Sequence, residues 1–464
     1  MMNKLFKDLR TYFMLILIGI ILWFSYQLFQ FPVFSIKYLV IFIIVSIIVC
    51  IALIFSQYIT KNKKIKIIGK IIIIILALLL IPLNYLFSTT MNALLKTENL
   101  VETENVSVIV RKESSYQYTQ DLAGKQYAIL AIDDQLVEKT IDKLERENIE
   151  TITPKLYSGI LTLVNALYNS DVDCIIINES YRAMIEDDFP TFSDDTRIVY
   201  SRQYISEVKA PENKDLTKDT FSVYISGIDT YGTIATKSRS DVNMIITINP
   251  VKKKILLTSI PRDYYIPFNV LNGQKDKLTH SGLYGVEETM KNVANYLNIN
   301  IDYYVRVNFD SIIDIVNALG GIEVDNPRAF GDFQAGTISL NGEQALAFSR
   351  ERYAFEQGDR ERGRNQMRVI TGIINKVISP AILNNYQNLL DTLHNSFQTS
   401  ISEKQMIDLI RMQLDDMASW EIEQLSVDGY GESLYSPIYG SDLYMMVPND
   451  ESVKNAKNKI EELY

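Results

Sequence analysis

The sequence predicts an α/β protein held at a membrane: an N-terminal three-helix anchor, a small α/β accessory domain and a larger, mixed-sheet α/β catalytic domain. Three observations carry this. Three uninterrupted apolar runs crowd the first 90 residues, residues 98–215 alternate strand-like and helix-like segments, and strand-like segments resume beyond a polar linker. A chain of 464 residues has room for about three units. Hydrophobic residues make up 47% and charged residues 22%, enough to build packed cores.

The runs at residues 12–29, 38–58 and 71–87 contain no charged side chain. Each is near the length that crosses about 30 Å of hydrocarbon as a helix. The first is too long for a signal peptide and no small-residue cleavage site follows it. Basic residues orient the anchor. Lys4, Lys7 and Arg10 precede the first run, Lys61, Lys63, Lys64, Lys66 and Lys70 separate the second from the third, and the first connection holds only Lys37. The positive-inside rule then puts the N-terminus in the cytoplasm and everything after about residue 90 outside. The formal charge of −10 divides accordingly: residues 1–90 carry nine basic side chains and one acidic, net +8, leaving −18 for the remainder. That acidic exterior argues against nucleic-acid binding. Cys50 falls mid-membrane and Cys174 outside in the expected topology, so they cannot pair, and the histidines number two, His280 and His394. A disulfide framework and a Cys/His zinc site are thereby excluded. Export without disulfides fits a Gram-positive envelope.

Within residues 98–215, the expected accessory domain, residues 127–132 and 173–178 read as buried strands. Residues 137–148 read as an amphipathic helix with Val137, Ile141 and Leu144 inward. No catalytic constellation is visible there. Residues 208–220 form the linker. The catalytic domain, 216–464, opens with strand-like segments at 221–229, 242–249 and 255–263, the last two joined by a turn at 249–254. A strand-helix-strand unit follows over 303–327, with late helices at 402–416 and 452–463.

The chemistry concentrates in residues 350–368, RERYAFEQGDRERGRNQMR. This run has six arginines and no lysine, in a chain where lysine outnumbers arginine 29 to 17. Guanidinium is planar, always ionised and grips phosphate oxygens with two donors. The bland alternative is a solvated helix whose arginines pair with Glu351, Glu356, Asp359 and Glu361. Asp229 and Asp241 flank a loop between strands, where they could hold Mg²⁺ or Mn²⁺; singly, such acids are more often turn residues. Arg239 and Arg262 add phosphate-type donors. Neither a Walker-A loop nor a GxGxxG motif is present, which argues against a nucleotide enzyme. His280 is expected to be structural.

In order, the motifs GID-x₈-SRSD, SIPRD, DKLTH-x-G-x-YG and SRERY-x₄-GDRERGRNQ resemble the LytR-CpsA-Psr family of membrane-anchored phosphotransferases. Three spans followed by an accessory domain resemble its CpsA branch. The resemblance implies transfer of a glycopolymer, capsular polysaccharide or wall teichoic acid, from a polyprenyl-pyrophosphate carrier to peptidoglycan through a phosphodiester link. It implies that Asp229 and Asp241 bind Mg²⁺, with Mn²⁺ as the alternative. Arg239, Arg262, Lys277, Arg350, Arg352 and Arg362 are expected at the pyrophosphate, with Asp359 and Gln366 completing the motif and Arg364 as a further candidate. Either Asp241 or Asp359 would take the acceptor's proton, although a metal ligand makes a poor base. An apolar channel for the lipid tail is also implied. The loop at 327–336 is expected to shape the polymer pocket, and capsule biosynthesis proteins are candidate partners. One departure stands at Thr230, where many members have arginine. Two other readings fit the same residues: a non-enzymatic envelope scaffold that binds polyprenyl-linked sugars, and a phosphatase acting on the carrier. A cytoplasmic transcription regulator conflicts with the topology.

Overall fold

The structure, a computed structural model, describes residues 9–30, 36–94, 101–132, 134–148, 151–207, 214–228, 234, 237–356, 358–379 and 397–464. It divides into two compact units. Met1–Glu98 and Ser402–Ala418 form one, and Asn99–Ile401 with Ser419–Tyr464 the other.

The first unit contains α1 (Leu9–Gln30), α2 (Ile36–Ile54) and α3 (Lys63–Leu94). Each supplies a segment long and apolar enough to cross a membrane: Arg10–Phe29, Lys37–Ile59 and Lys63–Tyr85. Met14, Leu17, Phe24 and Leu28 of α1 pack with Leu53, Ile73 and Leu80. A five-residue π-turn, Phe55–Ile59, ends the second span. It buries Gln57, whose Nε2 donates to the Lys66 carbonyl at 3.0 Å. Gly69 permits that approach, since a Cβ there would lie 2.2 Å from Ser56 Oγ.

The second unit opens with a five-stranded sheet ordered β3-β2-β4-β1-β5. Its strands are β1 (Val101–Arg111), β2 (Tyr127–Leu130), β3 (Lys155–Tyr157), β4 (Cys174–Asn178) and β5 (Thr196–Glu207). Among them lie α4 (Gln135–Asn148), α5 (Ile160–Tyr168) and α6 (Arg182–Asp188). The short strands and helices match the sequence pattern, whereas β1 and β5 form one long antiparallel ribbon.

The second sheet has six strands, ordered β14-β11-β6-β7-β8-β15. They are β6 (Phe221–Ile228), β7 (Ser240–Asn249), β8 (Lys254–Ile260), β11 (Tyr303–Val307), β14 (Phe397–Thr399) and β15 (Glu421–Ser426). Parallel pairing of β11 with β6 and of β15 with β8 makes the sheet mixed. Every residue of β6 is buried, as expected for a central strand. The smaller strands are β9 (Tyr265–Pro267), β10 (Lys275–Lys277), β12 (Ile322–Asn326), β13 (Gly336–Leu340), β16 (Gly429–Ser436) and β17 (Ser441–Pro448). The remaining helices are α7 (Val286–Leu297), α8 (Phe309–Ala318), α9 (Gly342–Arg350), α10 (Asp359–Ile378), α11 (Glu403–Asp416) in the first unit, and α12 (Asp450–Leu463). The strand-helix-strand unit read from sequence exists as β11-α8-β12, but β12 leaves the large sheet and pairs with β13.

One hydrophobic cluster runs through both sheets of this unit. It joins Ile109, Leu163 and Ile177 to Tyr224, Leu256, Ile266 and Ile438. Backbone bonds reinforce it, with the Ile160 N–H donating to the Ile438 carbonyl at 3.0 Å.

Candidate functional site

The site grows from the ends of β7 and β8. Asp241, 10% exposed in its side chain, sits at the start of β7, where Thr279 Oγ1 donates to its Oδ1 at 2.7 Å and Arg262 Nη1 pairs with the same oxygen at 3.0 Å. Thr279 arrives on a 3₁₀ segment, Leu278–Tyr284, whose Gly282 touches the β7 backbone. A Cβ at Gly282 would lie 2.4 Å from the Ser238 carbonyl oxygen. The glycine and threonine of the LTHSG motif therefore position Asp241. Beneath it a buried network fixes the strand: Tyr224 Oη donates to Asn243 Oδ1 at 2.5 Å, and Ser226 and Ser240 share a 2.8 Å hydrogen bond.

Arg262 also faces Asp263 through Nε at 3.7 Å, and Lys277 Nζ reaches the same Asp263 oxygen at 3.2 Å. Arg362, one turn into α10, pairs with Asp359 in the first turn. Burial raises the Asp359 carboxyl above its ordinary range; Arg362 opposes that rise and Asp263 adds to it. Among the described residues the junction thus holds three acids and three cations, all in mutual pairs.

Two cavities meet here. Ile225, Ile228, Val242, Val307, Phe309, Ile312, Leu346, Val369 and Ile370 give the first its mainly apolar lining, with Arg350 and Arg352 at its rim; it encloses about 270 Å³. The second, about 190 Å³, is polar and is lined by Ser259, Asp359, Arg360, Arg364, Ser426 and Asp428. Asp241, Arg262, Arg362 and Gln366 line both. Arg350 lies over the Phe309 ring, 4.0 Å from its centre. Arg352 Nη2 donates to Tyr353 Oη at 2.6 Å. The turn carrying Arg352 is anchored by Phe355, which packs on Phe330, and Phe330 packs in turn on Phe333 and Phe348.

Of the residues expected from sequence, Asp241, Arg262, Arg350, Arg352, Asp359, Arg362, Arg364 and Gln366 converge on this double cavity. Lys277 stands behind it, against Asp263. Arg239 lines neither cavity: its Nη1 is paired with Asp187 of α6 at 2.5 Å. Next to it, Lys237 Nζ is held by Glu104 of β1 at 2.7 Å. Asp229 and Thr230 lie outside the described residues. Arg364 and Arg368 both bind Glu361 at 2.7 Å and Arg362 binds Asp359, so the bland pairing applies to these three. His280 is buried, with Nδ1 2.9 Å from Asp276 Oδ1. Sequence reasoning did not single out Thr279, Phe309 or Asp428, nor the apolar lining.

The described residues offer no group of three or more acidic, histidine or cysteine ligands. One carboxylate completed by substrate phosphates is nonetheless a common way to bind Mg²⁺. Asp241 suits that role, because Thr279 and Arg262 engage only its Oδ1.

An arginine-rich, carboxylate-bearing junction thus joins an apolar cavity to a polar one. The LytR_cpsA_psr family model matches residues 193–462, and the chain belongs to the LytR-CpsA-Psr family, a family of transferases. It is 39% identical over 222 residues to a polyisoprenyl-teichoic acid–peptidoglycan teichoic acid transferase, TagU, of Enterococcus faecalis, covering 46% of this chain and 72% of that protein. A TagU of Bacillus anthracis is 36% identical over 214 residues, 45% of this chain and 70% of that one. A crystal structure of B. subtilis TagV has 29% identity and a TM-score of 0.46, covering 53% of this chain and 97% of the other.

Proposed function

We propose that the protein transfers a glycopolymer of the wall teichoic acid type from a polyprenyl-pyrophosphate carrier to peptidoglycan, at the outer face of the membrane its anchor crosses. A capsular polysaccharide is the other polymer the same chemistry would serve. The observation that carries this reading is the shared wall. An apolar lobe would take a polyprenyl tail, and the arginines that line it, Arg262, Arg350, Arg352 and Arg362, support a pyrophosphate beside them. The names of the relatives support teichoic acid as the polymer.

Phosphoryl transfer asks the protein mainly for charge neutralisation and positioning. The acceptor hydroxyl oxygen forms a bond to the sugar-bearing phosphorus while the bridging P–O bond breaks. Polyprenyl phosphate departs, the hydroxyl proton passes to Asp359, and a phosphodiester remains. Arg262 and Arg362 face the charge that develops on the phosphoryl oxygens. A divalent cation, Mg²⁺ or Mn²⁺, would be held by Asp241 with Asp229 and would add positive charge beside the phosphates. The test supplies the full chain with a polyprenyl-pyrophosphate oligosaccharide and peptidoglycan fragments and looks for the joined product. Release of polyprenyl phosphate without any joined product would favour a phosphatase.

A further inference from the structure

The two lobes lie over different halves of the large sheet. The ends of β11, β6 and β7 bound the apolar lobe, and the ends of β8 and β15 bound the polar one, with Asp241 and Arg262 on the dividing line. A tail in the apolar lobe therefore puts the departing phosphate on the β6 side of that line. In an in-line displacement the attacking oxygen enters opposite the leaving oxygen, which is the polar lobe. Asp359 lines the polar lobe and not the apolar one.

The chemistry of the polar lobe suits a neutral ligand. Arg360 is bound to Asp428 at 2.7 Å and donates to the Gly429 carbonyl at 2.5 Å, and Arg364 is bound to Glu361 at 2.7 Å. With these guanidinium charges balanced by the protein's own carboxylates, the lobe offers hydroxyls, carboxylates and N–H donors for hydrogen bonds. At about 190 Å³ it is the smaller of the two lobes, against about 270 Å³ for the apolar one, and has room for about one sugar ring.

We infer that the polar lobe is the acceptor subsite: it receives one neutral, hydroxyl-rich sugar ring of a peptidoglycan glycan strand and presents its hydroxyl to Asp359. This rests on the transferase reading above. Ser426 and Asp428, contributed by the end of β15 and the residues after it, are then specificity-determining residues for the acceptor.

The test uses the full chain in detergent micelles, with a polyprenyl-pyrophosphate oligosaccharide as donor and peptidoglycan disaccharides, their lactyl carboxyl capped as an amide, as acceptor. Ser426→Leu, which fills the lobe, and Asp428→Asn, which unbalances Arg360 at a half-exposed position, should each raise the acceptor KM about tenfold, or about 1.4 kcal/mol. The donor KM should stay close to wild type, and Ile312→Ala in the apolar lobe should show the reverse split. A raised donor KM with an unchanged acceptor KM in the polar-lobe variants would overturn the assignment, because the lobe would then hold the donor's own sugar. Saturation-transfer NMR of the disaccharide, with donor absent, separates this from a failure of the transferase reading. Without any turnover by the wild type, that reading falls, while loss of the disaccharide signal in both variants still supports the subsite and an unchanged signal sinks it.

Discussion

Arg262→Lys keeps the charge at the junction and removes the fork. In the structure one guanidinium serves two carboxylates, Asp241 through Nη1 at 3.0 Å and Asp263 through Nε at 3.7 Å, while its side chain stays 19% exposed. A lysine ammonium is a single point of charge and can meet one of them at a time. A charge-assisted hydrogen bond in such a setting is worth about 1.5–3 kcal/mol. Losing the second donor's hydrogen bond to a phosphate oxygen should cost about 2 kcal/mol in the transition state, a slowing of roughly 30-fold. Arg262→Ala removes the group altogether and should cost about 10²–10³ in rate, the range for deleting one preorganised donor. The assay is a single-turnover measurement of polyprenyl phosphate release from a polyprenyl-pyrophosphate oligosaccharide with saturating acceptor, so that chemistry and not release is read. A lysine variant as fast as wild type would refute the argument, since positive charge alone would then suffice and the fork would be incidental.

Three further outcomes are expected. Ile312→Ala, at the half-buried wall of the apolar lobe, removes three carbons at about 0.8 kcal/mol each when fully in contact; with partial contact the donor KM should rise about tenfold, and a short-chain soluble donor should be insensitive. Asp359 carries a carboxyl raised by burial against the pull of Arg362, and protonation disables a base, so the rate should fall as pH drops through a pKa above the ordinary value of about 3.9. Asp359→Asn should remove that acid limb from the pH–rate profile, and a limb that survives would assign the base elsewhere. Glu104 and Lys237 are each only 12% exposed, so Glu104→Ala removes the carboxylate from a buried cation and should destabilise by about 3 kcal/mol. The Arg239–Asp187 pair has a carboxylate 51% exposed, and Asp187→Asn should cost under about 1 kcal/mol. Thermal unfolding of the two variants side by side checks the contrast.

What could be read from the sequence followed physical rules that act locally. Three uncharged runs of helical length admit few structures besides spans, and the excess of arginine over lysine in residues 350–368 betrays a need for guanidinium geometry. Pairings set by distant chain segments could not be read. Strand β15 lies parallel to β8 although more than 160 residues separate them, and that pairing builds one wall of the polar lobe. Hairpin β16-β17 exposes Tyr430, Tyr435 and Tyr444 and lacks the clean apolar alternation that signals a strand. The apolar lobe draws one to four residues from each of β6, β7, β11, α8, α9 and α10, and no window of sequence contains it. Arg239 shows the same limit: its motif pointed to phosphate, and its carboxylate partner, Asp187, comes from α6, 52 residues away.

The account stands or falls on whether the double cavity joins two substrates. The most direct measurement incubates the full chain in micelles with a radiolabelled polyprenyl-pyrophosphate oligosaccharide, peptidoglycan fragments and Mg²⁺, then follows label in the peptidoglycan beside polyprenyl phosphate in the organic phase. The account predicts that the two appear together, only when acceptor is present, and that Arg352→Ala and Arg362→Ala abolish both. Tight binding of the lipid donor with neither product, across several acceptors and either metal, would contradict it and leave a lipid-binding envelope scaffold.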